Sequence, residues 1–188
     1  TTEPERSNPP VSVGHGRSDV VSIVIPVYQD AARLARCLEA LANQVNIDDV
    51  DLEVVVADNG STDGVRGVCS RHDFVHVVCE PSPGSYRARN TGIRAASGQY
   101  LLFTDSDCVP DRAWVAAALA ALRPHNGPKI VVGAIELFDE HGHERTEPDR
   151  GVVAYERATA FRQRYYANVL GFGPTANLAV RRSVFETI

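Results

Sequence analysis

Lysine is nearly missing from this sequence: Lys129 stands alone and the other basic residues are arginine. That imbalance reads as a bias of genomic composition rather than a functional signal. The four cysteines, Cys37, Cys69, Cys79 and Cys108, include no C-x-x-C pair, and each lies in or beside an apolar stretch. They read as buried free thiols in a reducing compartment, against a disulfide framework or a thiolate metal site. A basic excess is also absent: 19 Lys+Arg against 24 Asp+Glu give a net charge of −5, which argues against nucleic acid as the main partner. No apolar run approaches the roughly 20 residues that cross a bilayer. The first 19 residues, TTEPERSNPPVSVGHGRSD, lack the apolar core of a signal peptide. No G-x-G-x-x-G follows the first apolar run and no G-x-x-x-x-G-K-[ST] occurs, which excludes the usual dinucleotide and P-loop readings.

What is present is an ordinary globular composition, 44% hydrophobic and 23% charged in 188 residues, enough for one domain with a buried core. Residues 1–18, rich in Pro, Ser, Gly and charge, read as a disordered or loosely attached leader, with a single domain over 19–188. From Val20 the chain alternates. VVSIVIPVY reads as a strand and is followed by a helix whose Leu34, Cys37, Leu38 and Leu41 share one face, with Asp30 as its N-cap. LEVVVA (52–57) reads as a strand and 63–72 as a short helix. FVHVVC (74–79) is a strand, and the helix from Ser85 to Ser97 after it is stopped by Gly98. QYLLFTD (99–105), a helix over 111–122 and a strand over 129–138 come next, then a polar loop over 139–151. A helix over 152–168, a strand over 176–182 and the first turn of another helix complete the pattern. Strands apolar on both faces and alternating with helices imply an α/β fold, a three-layer α/β/α arrangement around a mostly parallel, doubly wound sheet. Ligands in such folds bind beyond the carboxyl ends of the strands.

Four strand ends therefore matter. The first is Pro26-Val27-Tyr28. The second, ADNGSTDG, places Asp58 directly after VVVA, where a carboxylate can accept a hydrogen bond from a base N–H or a ribose hydroxyl; Asp63 can simply cap the next helix. The third, PSPGSYRARNTG, opens a helix whose N–H groups suit an anion, with Arg87, Arg89 and Arg94 along it. These three cannot all face one ligand; Arg89 is the choice, and at least one of the others reads as a solvated charge. The fourth carries Asp105-Ser106-Asp107. Residues i and i+2 of extended backbone point the same way, and two carboxylates held there suit a hard divalent cation, with substrate phosphate oxygens completing the shell. The alternative is a turn cap beside a solvated carboxylate.

The segments VSIVIPVYQD, VVVADNGSTDG, PGSYRARNTGIRAASGQYLLFTDSDCVPD and GPTANLAVRRSVF together resemble the family 2 inverting nucleotide-sugar glycosyltransferases of the GT-A fold, over roughly residues 20–188. The resemblance implies a nucleoside-diphosphate-sugar donor, with UDP weakly favoured, a divalent Mn²⁺ or Mg²⁺, and transfer to an acceptor hydroxyl with inversion. It places Pro26, Val27, Tyr28 and Asp58 around the nucleoside and Arg89 near the diphosphate. Asp105 becomes a ribose or sugar contact that also belongs to the metal motif, and Asp107 the metal ligand. Gly173-Pro174-Thr175-Ala176-Asn177 would line the sugar and acceptor side. Two features depart from the family pattern. Asn59 stands where an aspartate is usual. The Gly-Gly-Phe-Asp-type turn and the acidic motif that supplies the general base would follow RRSVFETI, and nothing up to Ile188 matches them. The corresponding expectation is that the C-terminal part of the domain is missing; the alternative function is a nucleotide-binding domain without turnover.

Smaller features read blandly. His141 and His143 belong to a solvated polar loop, Trp114 is a packing anchor, and Tyr165 or Tyr166 is core or a sugar platform. The acceptor is expected to be a saccharide or lipid-linked. Because nucleotide-sugars are made in the cytoplasm, the expected location is cytoplasmic, at the inner face of the membrane if the acceptor is a lipid.

Overall fold

The computed structural model describes residues 18–136 and 174–187. The leader up to residue 17, the 139–151 loop with His141 and His143, the expected helix over 152–168, Tyr165, Tyr166 and Gly173 lie outside the described residues.

The β-branched runs form strands β1 (Asp19–Val27), β2 (Val50–Asp58), β3 (Val75–Cys79), β4 (Tyr100–Phe103), β5 (Ile130–Val132) and β6 (Leu178–Arg181). Helices α1 (Ala31–Ala42), α2 (Val65–Cys69), α3 (Ser85–Ala95) and α4 (Trp114–Leu122) alternate with the first strands. The sheet order is β3-β2-β1-β4-β6-β5. β3, β2, β1 and β4 are mutually parallel, with Val27 opposite Asp58 and Val24 opposite Phe103. β6 is antiparallel to both β4 and β5, so it alone runs against the rest. The mostly parallel sheet is as expected; the reversed strand is not visible in an apolar run, which carries no direction. The chain steps outward from β1 to β3, then crosses to place β4 on the other side of β1. The winding therefore reverses between β1 and β4, and a crevice opens at their carboxyl ends.

Alternation along β1 divides the core. Val21, Ile23, Ile25 and Val27 face a cluster made with Leu34, Leu38 and Leu41 of α1, Val65 of α2, and Val115, Leu119 and Leu122 of α4. Val24 turns to the other face, with Val55, Leu101, Phe103, Val180 and, from the end of α3, Ile93 and Ala96. α3 lies close to the sheet because Gly92 has no side chain: a Cβ there would sit 2.5 Å from Val24 Cγ1.

Several expected boundaries shift. α2 is shorter than 63–72 and α4 starts at Trp114, after Asp111 Oδ1 accepts the Ala113 N–H at 2.8 Å. α3 ends on Ala96 in extended conformation, not on Gly98. Gly98 is needed for a different reason: a Cβ would stand 2.6 Å from the Ser22 nitrogen of β1. The strand over 129–138 shrinks to three residues, and Arg182–Thr187 form a 3₁₀ turn where an α-helix was expected. All four cysteines are free thiols, but only Cys37 and Cys69 are buried; Cys79, on the edge strand β3, is exposed.

Candidate functional site

The turns at the carboxyl edge are tied to one another rather than each closing on itself. Gln29 follows β1 with a left-handed φ of 51°. It is held there by its N–H to Ser61 Oγ at 3.0 Å and by its Nε2 to Thr62 Oγ1 at 3.0 Å. Asp63, expected to cap the helix that follows it, reaches back across the edge. Its Oδ2 accepts the Ala31 N–H of α1 at 2.7 Å. Asp30 therefore makes no side-chain cap of its own helix. Its two oxygens accept Arg33 Nε at 2.7 Å and the Ser106 hydroxyl at 2.8 Å.

Asp58 ends β2, is 3% exposed, and accepts the Ser61 N–H at 2.8 Å. Beside it, Asn59 binds the next turn: its Nδ2 donates to the carbonyls of Glu80 (2.7 Å) and Ser82 (2.8 Å), and its Oδ1 accepts the Gly84 N–H at 2.9 Å. An aspartate, with no N–H to give, could not make the first two bonds. Glu80 accepts the Thr91 hydroxyl and the Ser82 N–H, which hold its carboxyl below the usual range. Gly84 sits at φ 128°, where a side chain would be strained.

α3 turns Arg89 alone toward the sheet. Its Nη2 pairs with Asp105, the first carboxylate of the Asp-Ser-Asp triplet, while its Nε is buried with no hydrogen-bond partner. Arg94 instead donates to Thr91 Oγ1 on its own helix. Thr104 and Ser106, on either side of Asp105, are buried, and the Asp107 side chain is 52% exposed. Arg33 Nη1 stands 3.9 Å from Asp107 Oδ2. Cys37 gives its thiol to the Asp105 carbonyl at 3.8 Å, and burial pushes its pKa far up; Cys108 is raised by burial as well.

Of the residues singled out in the sequence, Pro26, Val27, Tyr28, Arg89, Asp105 and Asp107 line one cleft of about 360 Å³ at the β1/β4 switch point. Asp58 does not reach its wall; Asn59 does. Sequence reasoning missed Asp30, Arg33 and Ser106 as parts of this cleft. The i, i+3 spacing of Asp30 and Arg33 was the available signal. A second, broader cavity of about 1140 Å³ opens beyond Asp107, with Arg33, Arg36, Arg112, Trp114, Ala176 and Asn177 in its walls. Trp114 packs on the core, as expected, and also donates its indole N–H to Asn177 Oδ1 at 2.8 Å.

The model of the family described as "Glycosyl transferase family 2" matches residues 22–188. The chain belongs to that family. Glycosyltransferase AglE of Haloferax volcanii is 33% identical over 175 residues, covering 89% of this chain and 54% of that protein. Validoxylamine A glucosyltransferase of Streptomyces hygroscopicus subsp. jinggangensis is 39% identical over 129 residues, covering 64% of this chain and 29% of that one. The chain thus spans about half or less of the length of these relatives. Among solved structures, the mannosyltransferase PcManGT from Pyrobaculum calidifontis, in complex with GDP-Man and Mn²⁺, matches at TM-score 0.59 and 26% identity. That match covers 89% of this chain and 46% of that one. TarS of S. aureus matches at TM-score 0.64 and 20% identity over 89% of this chain and 48% of that one, a likeness of fold. The family 2 chain has the GT-A fold. Among the described residues no helix is long and apolar enough to cross a membrane.

Proposed function

We propose that residues 19–188 form the donor-binding domain of a divalent-metal-assisted, inverting glycosyltransferase. The observation that carries this is the placement of Asp105-Ser106-Asp107 at the β1/β4 switch point, with Arg89 paired to Asp105 inside the same cleft. The donor set fits a hard cation. Asp107 is half exposed at the cleft wall, and Arg33 Nη1 stands 3.9 Å from its Oδ2. Among the described residues no group of three or more His, Cys, Asp or Glu could hold a metal. The remaining ligands therefore fall to the donor's diphosphate, in keeping with the coordination Mg²⁺ and Mn²⁺ prefer. PcManGT, 26% identical, is a case in which a nucleotide sugar and Mn²⁺ occur together.

In this reading Pro26, Val27 and Tyr28 line the nucleoside end of the cleft, and Asp58 supplies a fixed acceptor behind them. Arg89, at the cleft wall and paired with Asp105, stands where the diphosphate lies. Asp107, with Asp105 beside it, would hold a divalent ion, which would supply positive charge opposite the leaving diphosphate. The acceptor oxygen attacks the anomeric carbon, the bond from that carbon to the diphosphate oxygen breaks, and a general base takes the acceptor's proton. No described residue is assigned as that base. UDP is the favoured nucleotide, the acceptor is a saccharide or a lipid-linked sugar, and the reaction sits in the cytoplasm, at the inner membrane face for a lipid acceptor.

The test is a thermal-shift panel of UDP, GDP, dTDP, ADP and CDP, each with Mn²⁺ and with EDTA. A nucleotide at a hundred times its dissociation constant stabilises the fold by about 2.7 kcal/mol. A metal-dependent shift with one nucleotide is the expected result; no shift with any of them overturns the donor site. Donor hydrolysis that stops on adding EDTA then separates transfer chemistry from binding without turnover.

A further inference from the structure

The donor reading leaves Asp30 without a task, although Asp30 lies in the wall of the donor cleft with its side chain only 11% exposed. A carboxylate so covered is retained only when it is paired. Helix capping is not its use. Asp63 takes the Ala31 N–H in its place at 2.7 Å, while the Asp30 carbonyl accepts the Leu34 N–H at 3.0 Å. The backbone is thereby fixed on both sides of the side chain, whose oxygens turn elsewhere. Oδ1 accepts Arg33 Nε at 2.7 Å, which compensates the charge. Oδ2 accepts the hydroxyl of Ser106, 76 residues further along the chain, at 2.8 Å. Ser106 is the buried middle residue of Asp105-Ser106-Asp107. The triplet is thus pinned at its first two positions, Asp105 by Arg89 and Ser106 by Asp30. The turn is closed by the Cys108 N–H to the Asp105 carbonyl at 3.1 Å. The contacts of the Asp107 carboxylate are long by comparison, 3.9 Å from Arg33 Nη1 and 3.8 Å from the Cys108 thiol. Its position therefore follows from the pinned residues before it. Asp30 is not a third ligand beside Asp105 and Asp107. Among the described residues no three His, Cys, Asp or Glu stand together so as to hold a metal, and both Asp30 oxygens already accept a bond.

We infer that Asp30 is a positioning residue for the metal motif: through the Ser106 hydroxyl it fixes the turn that presents the Asp107 carboxylate to the cleft. Groups that orient a metal ligand by hydrogen bonding govern metal affinity nearly as strongly as the ligand does. The link also joins the turn after β1, at the nucleoside end of the cleft, to the turn after β4, where the cation would sit, so the two halves of the site are set against each other by one carboxylate. The inference rests on this cleft being the donor site.

The experiment titrates the chain with Mn²⁺ in the presence of the nucleotide found in the thermal-shift panel, reading free Mn²⁺ from its electron paramagnetic resonance signal. Asp30→Ala and Ser106→Ala are each expected to weaken Mn²⁺ binding about tenfold. The double variant should bind no more weakly than Asp30→Ala alone, because both substitutions cut the same link. Ser106→Ala changes no charge, so its loss separates positioning from the electrostatic effect of removing a carboxylate. Unchanged Mn²⁺ affinity in Ser106→Ala, or losses that multiply in the double variant, overturns the inference. A second readout needs neither metal nor nucleotide. In the ligand-free chain, exchange of the Cys108 amide hydrogen should quicken about tenfold in both variants, and far more than that of the β1 and β2 amides. An unchanged Cys108 rate overturns the inference. So does a uniform quickening across β1, β2 and the turn, which assigns Asp30 to the fold at large. If the unsubstituted chain binds no nucleotide with Mn²⁺, the donor reading has failed by itself, and the Cys108 exchange still judges whether Asp30 holds the turn.

Discussion

The two edges of the sheet use the same residue types to opposite ends. At the amino edge, arginines are consumed by the fold. Arg123 pairs with Asp19 and Asp49, Arg181 donates to the carbonyls of Leu122 and Pro124 at the end of α4, and Arg182 donates to those of Ala96 and Gly98. Glu53 there collects the Ser22 and Ser97 hydroxyls and the Ser97 N–H. At the carboxyl edge, Arg89 is buried with one nitrogen unpartnered, and Asp107 is half exposed at the wall of a cleft. A polar group whose bonds are complete stabilises the fold, whereas one with bonding capacity left beside a cleft is available to a ligand. The difference locates the site more firmly than residue type does, since both edges are rich in Arg and Asp.

The comparison is sharpest at Asp107. Asp107→Ala is expected to abolish the metal-dependent stabilisation by nucleotide, about 2.7 kcal/mol at a hundred times the dissociation constant. The ligand-free melting temperature should stay within the effect of a surface change, roughly 0.5 kcal/mol. Arg181→Ala should do the reverse. Removing a charged donor from the carbonyls at the end of α4 costs about 2 kcal/mol in denaturant unfolding, with nucleotide affinity of the folded protein unchanged. Equal losses of affinity in the two variants would erase the distinction between the edges.

Asn59→Asp tests whether the carboxyl edge also contains structural polar groups. It removes both N–H bonds to the β3–α3 turn and places a carboxylate against two carbonyls. A loss of about 1 kcal/mol in unfolding, with weaker nucleotide binding, is expected because that turn precedes α3 and Arg89. The smallest effect concerns acid. Burial works to raise the Glu53 pKa, but the hydrogen bonds from Ser22, Ser97 and the Gly98 N–H outweigh it and leave it below 4.5. A depressed folded pKa adds stability that is present above the unfolded value and is lost as pH falls through the folded one. Glu53→Gln should therefore flatten the stability curve below about pH 4.5, the unfolded carboxyl value, and leave nucleotide binding unaffected.

Much of this was legible in the residues. Apolar β-branched runs bounded by turn formers have few structures open to them, so β1 to β4 and their alternation with helices could be read directly. The clustered carboxylates after β4 stood out because an apolar strand ending in Asp-Ser-Asp has no use for them in a core. Arg89 could be separated from Arg87 and Arg94 by helical phase, and the structure turns it to the sheet and leaves Arg94 on the helix surface. Asp63 could not be read correctly, because its partner Ala31 lies 32 residues earlier and nothing local marks it. The same holds for Gly98, which looked like a helix stop and is instead a point of close approach to Ser22.

By itself, then, the sequence determined the layers, the strand ends and the paired carboxylates after β4, since these follow from periodicity and from local chemistry a few residues long. Only the tertiary structure decided that Asp30 holds Ser106 rather than its own helix. The same is true of Asp58, which lies behind the cleft while Asn59 reaches its wall, and of Arg36 and Arg112, brought from separate segments to one cavity. Those placements depend on which strands are neighbours and how closely the helices approach them, and the packing of the whole sheet sets both.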